Sequence, residues 1–363
     1  MLRSPLSLEW DMMVIEMRRY FGFLFSKRGK IRFAIFALST AIMIGLSYAS
    51  GLSWGKWESV EGGYRYVVDI LTASPYIFSF VLLGLCFIEP ALIFSFKMKR
   101  NSFETERRLS VSKRSMYFAR YIMGYLEIIL PYTFAYFISA GFLFINRGYW
   151  DSFYLASFFY VVLHVGGIFA YSFFTFFYLR GRNIIDGFVL MVLATLAIMF
   201  LGNAILYLGN KAGGALMGSF EYRVNPFSMF QWACIYLDDA LNHKSTLDNI
   251  TKIFGIVSTG LFSLSIFGIV LHKGDFNCEH ANQKTVSYFG YKTLIPLTFI
   301  PLMVFKNVIG LPIYYIFFVL VFSLTYLAYA LSYRRFMFTK REWQLYFIII
   351  GAEAFVYFLT LFL

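Results

Sequence analysis

The chain has 363 residues, of which 59% are hydrophobic, 21% are aromatic and only 14% are charged. Soluble domains carry about a quarter charged residues, so this composition excludes an ordinary soluble protein and predicts an all-α polytopic membrane protein. The net charge of +12 does not indicate a nucleic-acid partner, because about three quarters of the Lys and Arg lie in loops that we assign to one side of the membrane. The excess instead predicts contact with anionic membrane lipids.

The N-terminal segment, residues 1–32, predicts an amphipathic elbow helix. A Ser-Pro pair at positions 4 and 5 is typical of a helix start, and Trp10, Met17 and Leu24 recur at helical spacing. We expect this helix to lie in the cytoplasmic interface of the cell membrane, with the N-terminus in the cytoplasm. The alternative is a buried helix of the soluble type, which the nearby membrane span disfavours.

Residues 33–272 predict a core of six spans. About 20 apolar residues are long enough to cross a bilayer. The predicted spans are 33–52, 76–96, 121–145, 153–179, 187–208 and 253–271. Outer loops are expected at 51–74 and 209–251, and the second contains an apolar stretch at 227–237 that is too short to cross and predicts a re-entrant or interfacial helix.

The basic segment 97–120 joins the second and third spans. It holds eight Lys or Arg, which predicts a cytoplasmic location. Asn101 with Glu104 three residues later predicts a capping box and a short helix over 103–109. Ser112 predicts the N-cap of the next helix, which enters the third span. The alternative is a solvated loop whose charges only set the topology.

Residues 273–363 predict a cytoplasmic loop followed by two or three further spans. The runs 311–332 and 345–363 are long enough to cross, whereas 294–304 is short and contains Pro296 and Pro301. Keeping the basic residues that follow 332 inside requires 294–304 to cross, which gives nine spans. If 294–304 only dips into the membrane, the total is eight.

Four ionisable residues fall inside predicted spans: Glu89, Glu127, His164 and Glu353. A charged group in hydrocarbon costs several kcal/mol, so each should face a bundle interior, a partner or a water-filled cavity. Glu89 and Glu127 lie in the cytoplasmic halves of the two spans that flank the basic segment. They are candidates for lining or gating the inner end of a transport path, and the alternative is that they hold two helices together. A structural role is the favoured interpretation of His164.

Catalytic motifs are missing from the sequence. It contains no G-x-x-x-x-G-K-[ST], H-E-x-x-H, C-x-x-C or G-x-S-x-G pattern, so we predict a chain that is not an enzyme and holds no cofactor. Cys86, Cys234 and Cys278 fall in a span, an outer loop and an inner loop, which predicts no disulfide. His272, Cys278, Glu279 and His280 are close in sequence, but a solvated loop is a better interpretation than a metal site.

The basic segment resembles the first cytoplasmic loop of ABC transporter permeases of the type-2 exporter family. That loop has acidic residues, then Leu-Pro-(apolar)-Ser-(basic), then a short approach into the third span. This chain keeps the order with Glu104, Glu106, Leu109, Val111, Ser112, Lys113 and Arg114, and has Ser110 where the family often has proline. A Pro-Phe pair at 226–227 is a second point of similarity, and the resemblance covers about residues 8–280.

The resemblance implies a permease subunit that pairs with a second permease subunit, identical or paralogous, around a transport path. A separate ABC ATPase, which carries the ATP and Mg, would dock on the coupling helix of the loop. The residues implied in that contact are Phe103, Glu104, Glu106, Arg107, Arg108, Leu109, Ser112, Lys113 and Arg114. The expected function is ATP-driven export of an unidentified cargo, for which the aromatic content suits an amphipathic peptide, lipid or drug-like molecule and equally suits lipid contact.

Two other functions remain open from the sequence. A polytopic membrane enzyme, such as an acyltransferase acting on a lipid-linked substrate, is compatible with the length and charge, but the Arg-x-x-x-Leu-Arg-Gly start pattern with an in-membrane His is missing. An ion-coupled transporter would contain matched broken helices in two halves, and no convincing internal repeat is present.

Overall fold

A computed structural model describes residues 5–53, 55–60, 63–68, 70–98, 111–147, 153–181, 183–213, 290–304, 314–333 and 336–362. The chain divides into two compact units. The described part of the first unit ends at residue 175, and that of the second begins at 176. The two units are defined by the contacts between residues. They do not test the predicted functional segments 1–32, 33–272 and 273–363, which stay a prediction.

The first unit begins with two helices in direct succession. Helix α1 covers Pro5–Lys27 and helix α2 covers Gly29–Ser53. Arg28 lies between them, and its backbone N–H still donates to the Leu24 carbonyl, at 3.0 Å. On α1 the side chains of Tyr20 and Leu24, one helical turn apart, are buried, whereas Phe23 and Phe25 are exposed. The amphipathic pattern of the sequence therefore corresponds to a helix with one packed face.

A β-hairpin follows α2, and the sequence analysis did not predict it. Strand β1, Gly55–Val60, pairs antiparallel with strand β2, Gly63–Val68. The all-α class is confirmed for the long helices, and the hairpin is an addition within the segment 51–74, which was predicted as an outer loop. Only two residues separate the strands in sequence, and the second of these two residues is a glycine. Both strands contain aromatic residues. A short glycine-containing connection between two such segments is a sequence signal of a hairpin.

Three long helices complete the described part of the first unit: α3, Ile70–Phe94; α4, Lys113–Arg147; and α5, Phe153–Arg180, whose last five residues belong to the second unit. A single 3₁₀ turn, Ser95–Met98, extends α3. Helix α4 packs against α1, α2 and α3. It also lies so close to α5 that a Cβ on Gly124 would collide with the Tyr171 hydroxyl, so any larger residue there requires Tyr171 to move.

The second unit contains α6, Ile184–Gly213; α7, Tyr291–Leu302; α8, Tyr314–Tyr333; and α9, Lys340–Phe362. Helix α7 packs against α6 and also contacts α8 and α9. The shared core of α7, α8 and α9 is aromatic and aliphatic, with Ile295, Tyr329, Phe338, Tyr346 and Ile349 buried. At the start of α9 the Thr339 N–H donates to the Glu342 carboxylate at 2.8 Å, which caps the helix.

Four helical segments in the described part of the chain are long and apolar enough to cross a membrane: Ser115–Ser139, Phe159–Arg180, Ile184–Leu201 and Ile316–Tyr333. A shorter apolar segment is Phe78–Phe94. All five overlap predicted spans, which supports a membrane-embedded protein. The predicted span 253–271 and the apolar stretch 227–237 lie outside the described residues.

Candidate functional site

The structure brings together the two carboxyl residues that the sequence analysis singled out. Glu89 is on α3 and Glu127 is on α4, and their exposed fractions are 2% and 3%. Both contact the same side chain, that of Arg28, which is itself only 6% exposed. We call Arg28, Glu89 and Glu127 the buried ion cluster.

Arg28 uses all three of its guanidinium nitrogens in this cluster. Its Nε lies 3.0 Å from each carboxylate oxygen of Glu127, and its Nη2 donates to Glu127 Oε2 at 2.6 Å and to Glu89 Oε1 at 3.1 Å. Its Nη1 donates to the Leu92 carbonyl at 2.9 Å. The fork of a guanidinium suits this because it can bond two carboxylates and a carbonyl in one plane. One side chain from the α1–α2 junction therefore joins α3 to α4.

A second arginine lies close to Glu127. Arg32 Nε lies 3.9 Å from Glu127 Oε1, and the Arg32 guanidinium is 3.5 Å from the ring of Phe25. Two arginines therefore face the two carboxyls, and they supply the positive charge that a buried carboxylate requires.

Arg120 makes a parallel set of contacts one residue further along α3. Its Nη1 donates to the Ile93 carbonyl at 2.6 Å, its Nε donates to the Tyr20 hydroxyl at 2.8 Å, and its guanidinium lies 3.5 Å from the ring of Phe96. The last four carbonyls of a helix have no partner within the helix and carry its partial negative charge. Arg28 and Arg120 therefore cap two successive carbonyls at the end of α3, where the basic segment begins.

At the other end of the basic segment, Ser112 forms the predicted N-cap of α4. The Ser115 N–H donates to Ser112 Oγ at 3.3 Å, which confirms the cap. Glu16 on α1 adds to it, since one of its carboxylate oxygens accepts the Ser112 N–H at 3.0 Å and the Ser115 hydroxyl at 3.2 Å. The Ser112 N–H bond is the main reason that the pKa of Glu16 is lowered from its ordinary value. Helix α1 is thus fastened to the start of α4.

Most of the residues implied in the ATPase contact lie outside the described residues: Phe103, Glu104, Glu106, Arg107, Arg108 and Leu109, together with the short helix expected over 103–109. Of the remaining three, Ser112 is the cap, and Lys113 and Arg114 are the first two residues of α4.

His164 on α5 is engaged with its neighbours. Its Nδ1 lies 2.8 Å from the Tyr160 carbonyl and its Nε2 lies 3.4 Å from the Thr133 hydroxyl. Thr133 and the Tyr160 hydroxyl are also 2.7 Å apart. Both ring nitrogens therefore have partners, as expected of a residue that ties α4 to α5.

The sequence analysis missed Arg28 and Arg120, because it counted both among the charges that set topology. A signal for Arg28 was available in principle, since two carboxyls in hydrocarbon require a nearby cation. No group of three or more metal-ligating side chains occurs in the part of the chain that the structure describes, and His272, Cys278, Glu279 and His280 lie outside it. Comparison of the chain with protein-family models, with curated proteins and with solved structures finds no match.

Proposed function

We propose that this chain is the membrane-spanning permease subunit of an ATP-driven ABC exporter of the type-2 family. It pairs with a second permease subunit in the cell membrane, and a separate ATPase subunit binds the cytoplasmic segment 97–120. The chain itself is not an enzyme: nucleotide hydrolysis is the chemistry of the partner. The cargo is an unidentified molecule for which the aromatic helices favour an amphipathic character.

The observation that carries this proposal is the attachment of both ends of the basic segment to the same support. At the entry, Arg28 and Arg120 bond the last turn of α3. At the exit, Glu16 bonds the N-terminus of α4. A permease subunit that is moved by a partner ATPase needs such attachments. A freely flexible loop would not transmit the partner's movement to the helices. Here a displacement of the loop is passed to α1, α3 and α4 together.

Within this proposal, Glu89 and Glu127 gate the inner end of the transport path. Their shared bonds to Arg28 hold the cytoplasmic ends of α3 and α4 together. Separating the two helices requires one carboxylate to leave the guanidinium, which costs several kcal/mol in a buried setting. That cost is of the size that the binding and hydrolysis of a nucleotide by a partner can supply.

The proposed topology is a six-span core over residues 33–272, with two or three C-terminal spans and a cytoplasmic N-terminus. Helix α7 has 12 residues, so it rises about 18 Å, whereas the hydrocarbon layer is about 30 Å thick. This length favours eight spans over nine.

Copurification after gentle solubilisation tests the proposal. The wild-type chain is expected to retain an ATPase subunit, and the triple substitution Arg107→Glu, Arg108→Glu and Arg114→Glu is expected to lose it. Lys340→Glu with Arg341→Glu is a matched control, because both side chains are exposed and lie outside the segment 97–120. Retention of the ATPase by the triple variant contradicts the docking site, and a chain that purifies alone and modifies a lipid substrate supports the membrane-enzyme alternative.

A further inference from the structure

The second unit contains a buried carboxyl that the proposed function does not use. Glu353 on α9 has an exposed fraction of 0% and faces Thr325 on α8. Its Oε1 lies 2.9 Å from Thr325 Oγ1. Its Oε2 is buried without a hydrogen-bond partner among the described residues. This arrangement differs from the buried ion cluster, in which each carboxylate has an arginine.

The hydrogen bonds around Thr325 need one more hydrogen than the threonine has. Thr325 Oγ1 is also 3.0 Å from the carbonyl of Val321, one turn earlier on the same helix. A threonine hydroxyl carries a single hydrogen and commonly donates it to the carbonyl four residues back. If that hydrogen serves Val321, the 2.9 Å contact with Glu353 needs a hydrogen from the carboxyl. Both short contacts are satisfied together only when the carboxyl is protonated.

The charged surroundings of Glu353 favour the same state. In the described part of the unit, no Lys, Arg or His forms an ion pair with it. The titratable groups that face it are the phenols of Tyr329 on α8 and Tyr346 on α9. Helix α7 contributes apolar side chains to the neighbouring core, among them Ile295 and Phe299. A carboxylate without a cation in such surroundings costs several kcal/mol more than the neutral acid.

The contact also lies deep in the apolar layer. Thr325 is near the middle of the apolar segment Ile316–Tyr333, so at 1.5 Å per residue it is about 12–14 Å from either end. Water is therefore remote from the site, and a proton bound there is held by the protein.

We propose that Glu353 and Thr325 form a proton-binding site in the second unit. In the protonated state the carboxyl of Glu353 donates its proton to Thr325 Oγ1, and Thr325 donates to the Val321 carbonyl. The ligand is a single proton, taken up and released by one carboxyl oxygen, and the site does not depend on an ATPase partner.

Infrared difference spectroscopy of the full-length chain in lipid bilayers at pH 6 tests this site, because an ordinary glutamate is still ionised at that pH. The wild-type minus Glu353→Gln spectrum is expected to contain the C=O stretch of one protonated carboxylic acid, which shifts in deuterated water. Glu342→Gln is the matched control on the same helix, since Glu342 caps the first turn of α9 at its polar end. Its difference spectrum is expected to contain only ionised carboxylate bands. Ionised carboxylate bands in the Glu353→Gln spectrum overturn the proposal.

Thr325→Val provides a second, independent measurement that leaves the carboxyl in place. Valine has the shape of threonine without the hydroxyl, so the acid loses its acceptor. We expect the protonated C=O band to remain and to shift to the position of an acid without a hydrogen bond. An unshifted band would overturn the assignment of Thr325 to the site. Loss of the band would support it, because the acid would then keep its proton only while the Thr325 hydroxyl accepts it.

Discussion

Replacing Arg28 with methionine tests the buried ion cluster most directly. The substitution removes five donor contacts, four to Glu127 and Glu89 and one to the Leu92 carbonyl, and keeps most of the apolar volume. Removing one partner of a buried ion pair costs about 3–5 kcal/mol, because the other charge is left uncompensated. Two features bring the expected loss to the lower end, about 3 kcal/mol. The carboxyls can take up protons, and Arg32 remains 3.9 Å from Glu127.

The assay is denaturant unfolding of the purified chain in detergent, with Arg19→Met as the control. Arg19 is exposed on α1, so its replacement is expected to change the free energy of unfolding by less than about 0.5 kcal/mol. In a double-mutant cycle, Arg28→Met and Glu127→Gln are expected to couple by about 1–3 kcal/mol. If Arg28→Met is as mild as Arg19→Met, or the coupling is zero, then Arg28 does not hold α3 and α4 together.

Three further predictions concern neighbouring contacts. Glu89→Gln and Glu127→Gln are each expected to lower transport-coupled ATP hydrolysis while the ATPase still copurifies, and wild-type rates in both would remove their gating role. The lowered pKa of Glu16 means that its contribution to stability is complete above its ordinary value of 4.5 and is lost as the pH falls through the lower folded-state pKa. The melting temperatures of wild type and Glu16→Gln should therefore differ at neutral pH and converge in acid, and a constant difference would contradict the role of the charge. Gly124→Ala is expected to cost about 1–3 kcal/mol by collision with Tyr171, and Tyr171→Phe should relieve part of that cost. Gly84→Ala is its control, because a Cβ there meets nothing.

Local patterns in the sequence predicted the local features of the fold. Apolar runs gave helices close to their observed limits, as for 153–179 against Phe153–Arg180. Ser112 was expected as an N-cap and is one. These features depend on residues a few positions apart, so the sequence alone predicts them. The hairpin was missed because the segment 51–74 was interpreted only as an outer loop between two spans.

The sequence predicted only part of the candidate site, because its central contacts join residues that are far apart in sequence. Glu89 and Glu127 stand out as carboxyls within apolar runs, but their partner Arg28 is 61 and 99 residues away in sequence. In sequence it is one of several basic residues before the first span, and nothing local distinguishes it from the exposed Arg19. Arg120 was hidden in the same way, since its role depends on the end of α3 lying beside α4.

The sequence separation of the Arg28 contacts has a consequence for biosynthesis. Synthesis begins at the N-terminus, so Arg28 is translated before Glu89 and Glu127. We therefore expect the α1–α2 junction, which carries Arg28, to stay at the lipid headgroups until α3 inserts into the bilayer. Glu89 can then enter hydrocarbon already matched with a cation, and Glu127 completes the set 99 residues after Arg28. In ribosome-bound intermediates that end before α4, we therefore expect α2 and α3 to be weakly packed. The membrane insertase would then stay bound to these helices until α4 is inserted.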